Sequence, residues 1–323
     1  MTSAVVVHQT GGPEQLRYED WQLASPGPGQ VALRQTAIGL NFIDTYQRSG
    51  LYPVQTPFVA GNEGAGVITA VGEGVTDLRI GDRVAYMGQI GAYATERLAA
   101  ADRMVLIPDG IDDTTAAAIM LKGLTAYYLL FMTWPLAKGE TILWQAAAGG
   151  VGLIATQWAK ALGATVIGTA GSDEKVALAR AHGCDHGINY QTEDFAARVK
   201  EITNGRGVDV VYDGVGKATF DKSLDCLRPR GLMASFGNAS GVVSIPDITV
   251  LSRKGSLYVT RPTTAHYMAS RDALLTGSAA LFKAVLDGSI KVEISQTFPL
   301  AEAEAAHRAL EGRHTTGSVV LLP

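Results

Sequence analysis

Hydrophobic and polar positions change rhythm along this chain. Up to about residue 120, short apolar runs such as Ala4–His8, Val31–Ala37, Val67–Val71 and Arg83–Tyr86 are separated by GGPE, SPGPG, GEGV and IGD. Glycine and proline clusters at this spacing predict turns between the strands of a compact β domain. From Thr141 the pattern alternates. Strand-like TILWQA leads into a helix whose apolar residues Val151, Ile154, Ala155, Trp158, Ala159 and Leu162 trace one face, with Gly163 as a stop. Strand ATVIGTA and a helix opening at Ser172 follow, then strand GINY and helix EDFAARVKEIT. Strand VDVVYD, helix ATFDKSLDCL, halted by Pro229, and strand GLMASFG complete the series. At least four strand–helix alternations predict a parallel sheet covered on both faces. The last 60 or so residues hold two more helices, Arg271–Leu286 and Ala301–Glu311, before the strand SVVLLP. Pattern alone does not assign this tail to either half.

Composition narrows the class. With 323 residues the chain suits two domains. Its low charged fraction, 18%, and its 47% hydrophobic content exclude disorder, because burial can offset the entropy of ordering. A net charge of −4 gives no footprint for nucleic acid. Two cysteines, Cys184 and Cys226, cannot make a disulfide framework or a four-thiolate zinc site. No basic, apolar leader opens the chain. The uncharged stretch Thr141–Ala159 has the length of a membrane span. Its glycine cluster and flanking Gln145 and Gln157 instead predict a buried strand, turn and helix. The expectation is a soluble, cytoplasmic globular enzyme.

The sharpest local signal lies within that stretch. Ala147-Ala148-Gly149-Gly150-Val151-Gly152, between a strand and a helix, follows G-x-G-x-x-G with alanine in the first glycine's place. The middle glycine admits a pyrophosphate to the backbone, the last lets helix and sheet approach, and the helix N-terminus favours the phosphates. An NAD site places Asp or Glu about 20 residues on, at the tip of the second strand. Here that tip reads Thr169-Ala170-Gly171-Ser172, with Lys175 on the first helical turn. A small residue and a cation suit a 2′-phosphate, which predicts NADPH. Asp173 and Glu174 stand close by, and Lys175 also reads as a solvated helix residue.

Several stretches together resemble one family. NFIDTYQRSGLYP (Asn41–Pro53), GNEGAGVITAVGEGV, GDRVAY, AAAGGVGLIATQWAKALGA, VVYDGVG, GLMASFGNASG and GSLYVTRP are similar to the zinc-independent quinone oxidoreductases of the medium-chain dehydrogenase/reductase superfamily, which include zeta-crystallin. The likeness runs from about residue 8 to the end. It implies an α/β protein with a GroES-like β catalytic domain (residues 1–125 and 262–323) and an inserted Rossmann doubly wound parallel-sheet domain (126–261), with NADPH in the cleft. It also implies a homodimer joined through the Rossmann sheets, with GSLYVTRP near the pairing edge. By resemblance, Asn41, Phe42, Ile43 and Tyr46 line the nicotinamide and substrate pocket, Tyr52 stands near its mouth, and Thr125 and Tyr127 flank the cofactor. Gly149, Gly150 and Val151 carry the pyrophosphate. Gly171, Ser172, Lys175 and Tyr190 surround the adenosine ribose and its 2′-phosphate. Phe236, Gly237 and Asn238 meet the nicotinamide half, and Thr260, Arg261 and Arg313 close the site. Gly214 stands where relatives often carry serine. Each also has a plainer reading: Tyr46, Tyr52 and Phe236 as packing aromatics, Arg313 as a surface charge.

Missing residues matter as much. Zinc-dependent relatives have an early Cys ligand and a Gly-His-Glu segment. This chain has Gly61-Asn62-Glu63 and no Cys before residue 184. His182, Cys184 and His186 lie close in sequence, but Gly183 and Gly187 bracket them as a turn. Without zinc no Lewis acid polarises a carbonyl. The expected acceptors are therefore already electrophilic: a small-molecule quinone, or alternatively an α,β-unsaturated carbonyl. A non-enzymatic nucleotide- or RNA-binding, crystallin-like role is a third reading, unsupported by the charge. A zinc alcohol dehydrogenase needs ligands this chain lacks.

Overall fold

The computed structural model describes residues 2–323. The chain divides into two compact units, Met1–Leu124 with Met268–Leu286 and Val292–Pro323, and Thr125–Tyr267 with Asp287–Lys291. The expected bounds are 125/126 and 261/262; the divisions here fall at 124/125 and 267/268, and Asp287–Lys291 also falls in the second unit.

The first unit opens with β1 (Thr2–Val7), β2 (Leu16–Trp21), β3 (Gln30–Leu40), helix α1 (Phe42–Ser49), β4 (Phe58–Val59), β5 (Glu63–Val71), β6 (Arg83–Met87), β7 (Glu96–Ala100) and β8 (Val105–Leu106). Helix α2 (Asp113–Tyr128) follows, and the unit boundary falls within it. The second unit holds β9 (Thr141–Trp144), α3 (Gly150–Ala161), β10 (Thr165–Ala170), α4 (Asp173–Ala181), β11 (His186–Asn189), α5 (Phe195–Ile202), β12 (Val208–Asp213), α6 (Phe220–Leu224), β13 (Leu227–Ser235), α7 (Thr249–Arg253), β14 (Tyr258–Thr260) and α8 (Thr264–Tyr267). The chain returns to the first unit through α9 (Arg271–Leu286), β15 (Ile294–Pro299), α10 (Ala303–Glu311) and β16 (Ser318–Leu322).

In the first unit a seven-stranded sheet runs β15-β16-β3-β5-β6-β8, with β7 also on β3, beside a small sheet β2-β1-β4. Along β3, Val31 and Leu33 and, beyond the register shift between Gln35 and Ala37, Ile38 enter a core with Val5, Ile68, Tyr86, Tyr93 and Leu321. Each such aliphatic side chain contributes roughly 1.5–3 kcal/mol by leaving water. The tail belongs here because β16 pairs antiparallel with β3, Val320 facing Gly39.

The second unit is a six-stranded sheet in the order β11-β10-β9-β12-β13-β14, parallel throughout. Reading β9 as the first strand, this is the doubly wound Rossmann order, whose ligand crevice lies outside the carboxyl ends of the strands. The uncharged stretch Thr141–Ala159 forms β9, the glycine turn and most of α3, and Leu143, Ile154 and Ala155 in it are buried.

Two local expectations are corrected. The helix over 218–227 is only Phe220–Leu224, and β13 begins at Leu227 and runs through Pro229. Proline is tolerated there because the pairing with β12 slips in register between Val208 and Val210. Helix α2 went unseen within the β-rich stretch. It is apolar on nearly every side, so it has no stripe of period 3.6 to reveal it. The helical stretch Asp113–Thr133 is long and apolar enough to cross a membrane, yet 72% of that window is buried inside the protein.

Candidate functional site

In the second unit the expected residues gather at the carboxyl ends of the strands. After β9 the chain turns through Ala146, whose φ of 55° is left-handed. Such a conformation costs a residue with a Cβ roughly 1–2 kcal/mol and here re-aims the chain into the turn. The left-handed residue is thus Ala146, one position before the alanine that replaces the first glycine. Gly149 caps α3, and Gly150 and Val151 open it half-exposed. A Cβ on Gly152 would lie 2.5 Å from the Ala147 carbonyl oxygen and 2.7 Å from that of Ala146. Glycine is therefore what lets helix and strand touch. The first N–H groups of this 12-residue helix, with its dipole, form an anion-binding end.

The next turn follows β10 and is packed against Tyr190. A Cβ on Gly171 would meet the Tyr190 hydroxyl at 2.6 Å, so the phenol lies over the turn. Ser172 caps α4 and accepts from the Lys175 N–H at 3.3 Å. No carboxylate stands at the tip of β10. Asp173 is tied instead to the Asn189 amide, which donates to it at 2.8 Å. Glu174 is held below the usual carboxylate range by the Ser172 hydroxyl. Lys175 is half-buried on the first turn of α4.

Two further loops complete this edge. Asp213, fully buried, accepts from the backbone N–H groups of Val215 (2.8 Å) and Gly216 (3.0 Å) and from the Thr219 hydroxyl (2.7 Å). Burial pushes its carboxyl above the usual range. A Cβ on Gly237 would stand 2.2 Å from the Gly214 carbonyl oxygen, so the loops after β12 and β13 touch. At Gly214 a Cβ would come within 3.0 Å of the Phe236 ring. A serine there would press on Phe236, which packs against Trp144 at 5.6 Å. Beneath the turns, the Thr169 hydroxyl donates to Gln145 (2.5 Å), and the Gln145 amide donates to Ser223 (3.0 Å). Asn238 is buried, Thr260 ends β14, and exposed Arg261 donates to the Ser235 carbonyl at 2.8 Å. Thr125 lies 3.4 Å from the Thr264 hydroxyl. Tyr127 stacks on Phe131 at 5.1 Å and tilts against Trp158 at 6.0 Å.

The first unit holds the remaining residues. Asn41 caps α1, and its backbone N–H donates to Asp44 at 2.8 Å. Phe42 and Ile43 open the helix half-exposed. Tyr46 packs 6.2 Å from Phe42 and edge-on at 5.2 Å to Tyr52, whose N–H donates to the Tyr46 carbonyl. Structure thus brings Phe42, Tyr46 and Tyr52 into one aromatic cluster beside Asn41. Arg313 is exposed in the turn between α10 and β16, with a left-handed φ of 59°.

The same unit holds buried polar groups that motif reading missed. The Asn41 amide and the Lys122 ammonium each donate to Glu63 Oε1 at 2.7 Å, and the Leu121 N–H donates to Oε2 at 2.6 Å. One signal did exist: Lys122 is the lone charge between Thr114 and Thr133. Asp44 accepts from the Asn62 amide (2.7 Å) and the Tyr93 hydroxyl (3.1 Å). Tyr93 also meets His307 Nε2 at 3.0 Å, and Arg48, buried and paired with Glu311, reaches His307 Nδ1 at 3.1 Å. Arginine only donates. Nδ1 therefore accepts, Nε2–H donates to Tyr93, and Tyr93 donates to Asp44. Burial pushes Asp44 up to about 6. Burial, then the Arg48 charge, pushes His307 down to about 3.

Comparison with known proteins gives these features a context. Residues 27–109 match the alcohol dehydrogenase GroES-like domain, and residues 150–269 match the zinc-binding dehydrogenase family. A quinone oxidoreductase of Pseudomonas aeruginosa is 56% identical over 97% of both chains. A 2-haloacrylate reductase of a Burkholderia species is 50% identical over 100% of this chain and 99% of its own. The crystal structure of Escherichia coli quinone oxidoreductase complexed with NADPH superposes with a TM-score of 0.98 at 47% identity, covering 99% of this chain and 100% of that one.

The zinc in one family description finds no matching donor set. Asn41 and Asn62 offer amides rather than thiolate or imidazole, and Glu63 is already engaged by three donors. Among the described residues no three His, Cys, Asp or Glu side chains are placed to hold a metal ion. Burial pushes the Cys184 and Cys226 thiols up to about 12, far from the thiolate form that binds zinc. The nucleotide edge, by contrast, has the backbone room, helix N-terminus and cation that a phosphorylated dinucleotide requires.

Proposed function

The chain belongs to the quinone oxidoreductase family of the medium-chain dehydrogenases/reductases, and from that premise we propose that it reduces small-molecule quinones with NADPH. The observation that carries the cofactor choice is the tip of β10: Ser172 and Lys175 beside Gly171, with Asp173 turned to Asn189. In this reading Gly149, Gly150 and Val151 hold the pyrophosphate, and Gly171, Ser172, Lys175 and Tyr190 hold the ribose and its 2′-phosphate. Phe236, Gly237, Asn238, Thr260, Arg261, Thr125 and Tyr127 attend the rest of the cofactor. Asn41, Phe42, Ile43, Tyr46 and Tyr52 form the acceptor side, joined by Arg313.

Bound NADPH supplies a hydride donor, and the protein contributes position and exclusion of water. The reaction proceeds without zinc, so acceptors must be electrophilic in themselves. α,β-Unsaturated carbonyls form a second substrate class, favoured by the 2-haloacrylate reductase relative. The protein acts as a homodimer, a reading supported by the open outer edge of β14. A cytoplasmic setting suits its two unpaired thiols.

Oxidation of NADPH and NADH is to be followed with a small quinone, an enone and an alcohol/aldehyde pair, with and without chelator. Quinone turnover with NADPH that survives chelation is expected. Loss of turnover on chelation overturns the zinc-free reading, and absence of quinone turnover overturns the function.

A further inference from the structure

We propose that Lys122 is a catalytic residue of this site, its ammonium donating to the acceptor oxygen on which negative charge develops. The inference rests on the reductase reading above and adds a residue to it.

The observations are geometric. Lys122 sits on α2 with its side chain only 7% exposed, paired with Glu63, whose side chain is 0% exposed. A buried ion pair of this kind is a poor stabiliser: an apolar pair of similar volume is often neutral or better, because two ions must be stripped of water. Its presence calls for another reason. The ammonium has three N–H donors, and among the described residues its acceptor is Glu63 Oε1 alone. Its other two N–H groups are open to an acceptor from outside the fold. Glu63 cannot turn to supply more, because Asn41 and the Leu121 N–H hold its two oxygens and Gly39 closes against it; a Cβ there would lie 2.3 Å from Oε1. Asn41 and Lys122 share that one oxygen, and Asn41 begins the helix that carries Phe42 and Tyr46. Glu63 Oε1 thus ties the cationic donor to Asn41, the residue that opens the helix carrying the Phe42–Tyr46 ring pair.

The step balances as follows. A hydride from NADPH leaves as its C–H bond breaks, giving NADP+, and forms a C–H bond on the acceptor. The π pair of the conjugated carbonyl moves onto oxygen. Lys122 donates a hydrogen bond to that oxygen without losing its proton, and a proton from solvent then completes the hydroxyl; for a quinone, the added carbon then loses its original ring proton to water while the second oxygen takes one up, giving the hydroquinone. A preplaced charged donor in a site poor in water is worth about 100-fold or more in rate.

Two variants and one spectroscopic probe test this. Lys122→Met keeps the length of the side chain. Lys122→Met with Glu63→Gln also removes the carboxylate that the single variant leaves uncompensated. Both are expected to lose about 100-fold in kcat, while NADPH binding, read by fluorescence, is unchanged. The loss grows with the basicity of the product oxygen across a series of graded quinones. Recovery of wild-type kcat in the double variant, or an equal loss across the series, overturns the proposal and leaves Lys122 as the counterion of Glu63. Binding of 4-nitrophenol needs no turnover and so separates this inference from the reductase reading. Its ionisation in the wild-type site is expected about one unit or more lower than in either folded variant. An identical ionisation overturns the contact even if quinones are reduced.

Discussion

At the scale of single residues, Lys175 carries the most specific consequence. It stands on the first turn of α4, where no carboxylate competes at the tip of β10 and Asp173 is engaged by Asn189. Lys175→Ala is expected to weaken NADPH binding by roughly 1.5–3 kcal/mol, the range for a hydrogen bond to a charged group. NADH should be little affected; equal losses for both cofactors would make Lys175 a structural residue. Its position was legible in sequence, because it follows the strand tip at a fixed spacing. Lys122 was legible only as an oddity, a charge in an apolar helix. Its partner Glu63 lies 59 residues away, and no local pattern links the two. Gly214 shows the reverse: the departure from relatives is visible in sequence, but its effect depends on the Phe236 ring beside it.

At the scale of elements, α1 is fixed to α10 by a directed chain of hydrogen bonds, Arg48 to His307 to Tyr93 to Asp44. Folding raises the Asp44 carboxyl from 3.8 to about 6. Its contribution to stability is complete below about 4 and is lost as the pH rises to 6. Folding lowers His307 from 6.5 to about 3, so its contribution is complete above 6.5 and is lost as the pH falls. Between pH 4 and 6 the two slopes oppose each other. In His307→Gln only the Asp44 slope remains. Relative to wild type, the variant should lose roughly 3 kcal/mol as the pH rises from 4 to 6.5. Urea unfolding across that range measures it, and parallel curves would refute the assignment. Periodicity exposed α3, α9 and α10, whose faces differ. It missed α1, which follows β3 with only Asn41 between them, and α2, which is buried nearly all round. Helix α6 was overdrawn because Pro229 reads as a helix stop and in fact lies within a strand.

At the scale of the molecule, β14 bounds the parallel sheet, paired on one side with β13 and carrying Tyr258 at 61% exposure. An open edge with an exposed aromatic invites a second copy. Sedimentation should show a dimer at micromolar concentration, converted to monomer by Tyr258→Lys; a wild-type monomer would exclude this edge as an interface. The sequence by itself determined the alternation of strand and helix, the glycine turn, the cation after the second strand and the lack of any cysteine before residue 184. Each is written in spacing or residue type along the chain. Only the tertiary structure decided that the tail joins β3, that Ala146 takes the left-handed turn, and that Glu63 meets Lys122 and Tyr93 meets His307 across 214 residues. Such contacts are set by burial, which forces every polar group removed from water to find a partner wherever the fold supplies one.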